Sequence, residues 1–261
     1  MEDSLIRLFI PEGIVKKIIN SGFEKNEPIN TKMLSKAVES AQKTLEGRSF
    51  EIRKNILLYD DVLNKQRIDV YSSRKKIIEK ADLNDDISDM ITEFSDEISS
   101  RVYNNRKYLN REIFDSFVTL MNNSFNISSC FLFDDGCLSV TDINNNVSVY
   151  GKNINIKDFS SICSEFIKSH FSKMKEEMSG DFNTVFGNVF LKTIDFYWMD
   201  HIDNMSKIKD GIGLRAYGQI DPVIAYKENA FFMFDRMIVD IKISTILSMG
   251  KLLLKHDGLV N

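Results

Sequence analysis

Proline is scarce in this chain, with three residues in 261, at positions 11, 28 and 222. Proline removes a backbone donor and breaks helix interiors, so its rarity leaves long helices possible and implies a mainly α fold. Long apolar runs are missing too: stretches such as Leu252–Leu254 fall far short of the ~20 residues a membrane-crossing helix needs. The opening MEDSLIRLFIPEG is acidic from its second residue and lacks the basic region and apolar stretch of a secretory leader. Together these absences imply a soluble chain of cytosolic type. There is no excess of positive charge, the formal net charge being −4. Nor do aromatics cluster among basic residues, so no nucleic-acid partner is expected. Cys130, Cys137 and Cys163 match neither a paired-zinc spacing nor an even disulfide set, and free, mostly buried thiols are expected. His170, His201 and His256 stand too far apart for a helical metal pair, so no metal is expected.

What is present is helical spacing. Pro11 and Pro28 bracket the stretch GIVKKIINSG, read as a short helix closed by Gly22. Between positions 31 and 80 there is no proline and one glycine, Gly47. Leu34, Val38, Ala41, Leu45, Ile52, Ile56, Tyr59, Leu63, Val70 and Ile77 step through this stretch at helical intervals. A helix of ~50 residues is ~75 Å long, more than one compact domain needs, which suits a beam joining several parts. Gly47 offers a point at which to bend or divide it. The beam carries twelve Lys and Arg against seven Asp and Glu; residues 81–180 carry nine against sixteen. Either these are solvated faces, or the beam docks on acidic surfaces while the lobe stays clear of them.

Residues 81–180 begin as helix through DLNDDISDMITEFSDEISSRVYNNRKYLNREIFDSFVTLM. They then pass into NNSFNISSCFLFDDGCLSVTDINNNVSVYGKNIN, whose short apolar patches among Asn and Ser suit a weak hairpin or an irregular loop. This region reads as a peripheral lobe inserted between two stretches of scaffold.

From position 186 the helical step returns through Phe186, Phe190, Ile194, Tyr197, His201, Met205, Ile208 and Ile212. It resumes after Pro222 with Tyr226, Ala230, Phe234, Met237 and Ile241. Two amphipathic helices joined by a short loop fold back to bury one stripe each. Trp198, His201 and Phe234 are the expected core of that hairpin. Between the helices lies KDGIGLRAYGQIDP, with three of the chain's twelve glycines. Gly211, Gly213 and Gly218 are read as the residues permitting a tight bend through positive φ. Asp221 is read as the cap of the second helix and Pro222 as its first residue. Arg215 and Tyr217 project from the loop, and an exposed tyrosine grips apolar and backbone groups without demanding one sequence. The glycine spacing is no dinucleotide fingerprint, because no strand precedes it. Asp60 and Asp61 lack a partner histidine or third carboxylate at helical spacing, which favours a polar contact over metal or acid–base chemistry.

Read with its flanks, VFLKTIDFYWMDHIDNMSKIKDGIGLRAYGQIDPVIAYKENAFFMFDRMI resembles the two-helix finger of SecA, the motor of bacterial and plastid protein export. The matching positions are Asp195, Trp198, His201, Gly211-Ile212, Leu214-Arg215, Tyr217, Gln219, Asp221-Pro222, Tyr226-Lys227 and Met233-Phe234. SFEIRKNILLYDDVLNKQRIDVYSSR resembles that family's long scaffold helix, through Arg53-Lys54, Tyr59-Asp60-Asp61-Val62 and Gln66-Arg67. MEDSLIRLF is similar to the stretch that closes the family's second nucleotide-binding lobe. The likeness is weakest over 82–180, where the family's helical wing would lie.

The resemblance implies a division into a lobe remnant (1–30), a long scaffold helix (31–80), a helical wing (81–180), and a two-helix finger with return scaffold helices (181–261). It gives Tyr217 the contact with the moving polypeptide, gives Arg215 the support of that tip or a contact with the channel, and gives Arg53, Tyr59, Asp60, Asp61 and Arg67 the contact with the motor lobes. The implied partners are motor lobes in the same chain or another, the SecY channel, unfolded preprotein and, peripherally, the inner or plastid membrane. The chain holds no G-x-x-x-x-G-K-[ST], so ATP and magnesium are expected on motor lobes that would precede it, and no ATPase activity is expected of the chain alone. A split protein, a truncated gene and an excised fragment all fit. Ile220 stands where the family usually has a basic residue, which implies weaker charge contact with the channel. The alternative is a free-standing helical interaction module outside translocation; an autonomous enzyme is the third reading.

Overall fold

The computed structural model describes residues 32–80, 82–103, 111–125, 131–134, 137–141, 146–150, 154–178, 181–212 and 221–257. The short helix read at 13–22 and the lobe remnant at 1–30 lie outside the described residues. Mainly α is the observed class, with six helices and one small sheet among the described residues. The chain divides into two compact units, 1–64 and 65–261.

Helix α1 (Lys32–Glu79) is continuous over 48 residues. Gly47 therefore does not divide it. A helical glycine costs only about 1 kcal/mol against alanine, and Leu45, Glu46 and Arg48 around it are good helix formers. Apart from its own stretch of helix, a Cβ on Gly47 would meet nothing within 4 Å among the described residues. In the first unit this helix leaves large apolar side chains in solvent, with Phe50 62% and Leu57 69% exposed.

The second unit holds the end of α1 and all later elements. Leu83 is buried just before α2 (Asn84–Tyr103). The Asp82 carboxylate accepts the Asn84 backbone N–H at 2.9 Å, and Asp85 and Asp86 place negative charge at the positive end of the helix dipole. Within the stretch read as helix, α3 occupies Arg111–Phe125, and residues 104–110 lie outside the described residues. The Asn-rich segment then forms β1 (Phe131–Asp134), β2 (Cys137–Thr141) and β3 (Val147–Tyr150), an antiparallel sheet in the order β1-β2-β3. This is one strand more than a hairpin. Its register sets Phe131 opposite Val140 and Leu138 opposite Tyr150, so Phe131, Leu138 and Val140 face the core. Leu132, Val147 and Val149 are exposed. Helix α4 (Ile156–Glu177) starts with Asn155 accepting the Asp158 N–H at 2.9 Å.

The core of this region is aromatic. Phe117 meets Phe131 at 5.2 Å and Phe159 at 5.6 Å, and Phe131 meets Phe166 at 5.1 Å, all edge to face as ring quadrupoles prefer. That core does not stop at residue 180. It runs on through Phe182 and Phe186 of α5 (Phe182–Ile212) and Ile243, Ile246 and Met249 of α6 (Pro222–Asp257). The lobe is therefore built into its scaffold rather than set beside it. Gly250 makes this possible: a Cβ there would stand 2.7 Å from the Ser124 carbonyl oxygen and 2.8 Å from the Phe125 ring. Cys163 is buried and Cys137 half-buried, and neither is in a disulfide; Cys130 lies outside the described residues. No helix among the described residues is long and apolar enough to cross a membrane.

Candidate functional site

Helices α5 and α6 pack along one another as a hairpin. Their apolar stripes meet through Ile194, Trp198, Met237 and Ile241, with Tyr197 and Phe234 half-buried beside them. Trp198 is 7% and His201 3% exposed. The His201 ring stacks on Trp198 at 5.6 Å and 25°, while the half-buried Phe234 ring meets it at 5.8 Å. The Tyr197 and Ser244 hydroxyls share a hydrogen bond of 2.7 Å between the two helices.

The end of α1 lies against this pair. Gln66 and Val70 are buried, with Arg74 and Ile77 half-buried on the same face at helical steps. Val70 joins the Trp198 cluster, and Arg74 forms an ion pair with Asp195 of α5. Gln66 reaches both hairpin helices. Its Nε2–H donates to the Ala230 carbonyl of α6 at 3.0 Å, and its Oε1 lies 2.9 Å from His201 Nε2 of α5. Burial lowers the His201 pKa from its ordinary value, since a desolvated imidazolium is costly; the neighbouring Asp200 opposes the shift.

In the sequence Gln66 is one of the positions matching the family's scaffold helix and carries no role there, yet it leaves a signal of its own. It sits three residues after Leu63 and four before Val70, a polar side chain on the apolar stripe. The Arg74–Asp195 pair, linking helices far apart in sequence, left no comparable one.

At the far end of the hairpin, Asp221 Oδ1 accepts the Val223 N–H at 2.8 Å, its backbone carbonyl accepts the Ala225 N–H at 3.0 Å, and Pro222 begins α6. Gly211 belongs to the last turn of α5 and its backbone is helical, so it takes no part in a positive-φ bend. Its place one residue before the end of the apolar stripe explains this: Ile212, 4% exposed, still packs as part of the helix. Gly213, Arg215, Tyr217, Gly218 and Ile220 lie outside the described residues. On α1, Arg53, Asp60, Asp61 and Arg67 are exposed and Tyr59 is half-buried. Among the described residues, no three His, Cys, Asp or Glu side chains stand together as a metal site.

Comparison with known proteins places this arrangement. Residues 28–252 match the family model described as the SecA wing and scaffold domain. This chain belongs to that family. A SecA protein translocase subunit of Caldicellulosiruptor saccharolyticus is 37% identical over 246 residues, covering 94% of this chain and 27% of the relative. One from Clostridium botulinum (strain Loch Maree / Type A3) is 35% identical over 248 residues, 94% of this chain and 28% of its own length. A third, from Halothermothrix orenii, is 35% identical over 260 residues, 98% and 28%. The chain thus spans a little over a quarter of the length of the curated relatives it matches. The match takes in α1 and the α5–α6 hairpin as far as residue 252.

Proposed function

We infer that this chain acts as the scaffold, wing and two-helix-finger portion of a SecA-type protein translocase. A motor elsewhere moves α1, and the hairpin moves with it. The observation that carries this reading is the seam in which one helix, α1, is bound to both hairpin helices through Gln66 and to α5 through Arg74–Asp195. A finger held on both sides follows its beam, as transmission of force requires.

Two further features support it. The exposed Phe50, Ile52, Ile56 and Leu57 of α1 offer an apolar surface of the kind motor lobes would cover. On the hairpin, Phe196, Met199, Phe231 and Phe232 are each more than 60% exposed and suit a polypeptide or channel partner. In this reading Tyr217 grips the preprotein, Arg215 supports it, and Arg53, Tyr59, Asp60, Asp61 and Arg67 meet the motor. The SecY channel is the partner at the membrane, which the chain approaches peripherally from the cytoplasm. ATP and magnesium are bound by the motor, and the chain by itself is non-catalytic. The boundaries 1–30, 31–80, 81–180 and 181–261 carry over as functional divisions.

The test supplies a SecA-type motor portion to reconstituted vesicles bearing the channel and follows preprotein uptake. Tyr217→Ala is expected to abolish uptake while circular dichroism and melting stay unchanged. Full uptake by the variant would remove the assigned role.

A further inference from the structure

Among the described residues of α1, Gln66 is the only buried polar side chain. Burying an amide is unfavourable unless each polar end finds a partner, and here both do, on two different helices. The amide orientation follows from chemistry: the Ala230 carbonyl oxygen can only accept, so the NH2 group faces α6 and Oε1 faces His201. His201 Nε2 must then carry the proton. Ala230 is fully buried, and its small side chain lets the amide reach the backbone of α6. The contact falls about three turns before the end of α5 and about two turns after the start of α6.

We propose that Gln66 is the positioning residue through which the long helix sets the register of both finger helices at once, using one amide as donor to α6 and acceptor from α5. The neighbouring apolar contacts of Val70, Trp198, Met237 and Ile241 attract the helices but are non-directional and tolerate sliding. Two hydrogen bonds with fixed partners do not. Of the seam's contacts, the Arg74–Asp195 pair is half in solvent, which weakens it as a register mark. His201, stacked on Trp198 and met edge-on by Phe234, carries the setting from Gln66 into the apolar seam. This inference rests on the transducer reading and names the residue that does the transmitting.

The experiment uses the full chain and two variants, with hydrogen exchange read along each helix and the His201 ring nitrogens read by NMR. In the unaltered chain His201 is expected as the Nε2–H tautomer; an Nδ1–H tautomer overturns the proposal without any substitution. Gln66→Met keeps length and apolar packing but removes both bonds. Exchange around 198–205 and 226–234 is expected to rise about tenfold or more, while α2 and α4 are unchanged. Gln66→Glu keeps the acceptor toward His201 and loses the donor toward Ala230. Its exchange rises in α6 only, and the His201 titration moves upward beside the new carboxylate. A rise spread equally over α2 and α4, or no rise at all, overturns the proposal. With the motor portion supplied, Gln66→Met is expected to slow uptake at least fivefold. If Tyr217→Ala abolishes uptake and Gln66→Met leaves it unchanged, the positioning role alone fails; if neither substitution matters, the transducer reading fails.

Discussion

Two buried histidines divide the molecule by what holds it together. His170 lies in the wing at 4% exposure, perpendicular to Phe125 at 5.0 Å and stacked on Phe166 at 6.3 Å, and neither ring nitrogen has a hydrogen-bond partner among the described residues. His201 lies in the hairpin seam at 3% exposure with Nε2 bonded to Gln66. In the wing an imidazole is used as an apolar ring in a large aromatic core. In the seam, where the buried cluster has only five members, the same group is used for direction. A big core can leave a polar atom unsatisfied and stay folded; a small seam that must keep register cannot.

Breaking the wing core gives the largest expected effect. Phe159 is fully buried and meets Tyr103, Phe114 and Phe117. Phe159→Ala is expected to cost about 3–5 kcal/mol in urea unfolding, from lost burial plus the cavity left behind. Hydrogen exchange should place the loss in α2–α4 and spare the hairpin around Trp198. Equal loss in both regions would erase the contrast drawn between them.

Acid sharpens the contrast from the other side. Burial, with Lys173 nearby, pushes the His170 imidazole down to about 4 from an ordinary 6.5. Between those values the unfolded chain binds a proton that the folded wing refuses. Stability is therefore full above about pH 6.5, falls as pH drops toward 4, and levels below it, with a total change of about 3 kcal/mol. His170→Phe should remove this slope from wing unfolding measured between pH 4 and 7. A slope that survives the substitution would show that another group carries it.

The smallest effect belongs to the hairpin. Asp221→Ala removes the side-chain acceptor at the start of α6 and is expected to cost about 1 kcal/mol. Exchange should quicken in the first turn of α6 and be unchanged in the wing. An altered wing would mean that the two regions are less separate than their cores suggest.

Legibility in the sequence followed the range of the physics. The steps from Phe186 to Ile212 and from Tyr226 to Ile241 marked two helices, because which side of a helix is apolar is written locally. Asp221-Pro222 marked the start of α6 for the same reason, since a cap reaches only two or three residues. Gly47 and Gly211 misled, because glycine permits a bend without requiring one and the helices around both were satisfied without it. The third strand was hidden because Val147 and Val149 face solvent and only a neighbour, β2, holds β3 in place.

By itself the sequence determined the helical class, the helical hairpin, the cap that begins its second arm and the family to which the chain belongs, all from short-range spacing and residue type. Tertiary structure decided that the wing core extends into α5 and α6, that Gly250 lets α6 close on α3, and that Gln66 rather than a charged neighbour is drawn inside. Those outcomes depend on partners distant along the chain: Gln66 lies 135 residues from His201 and 164 from Ala230. A buried amide is stable only where the fold brings both partners to it.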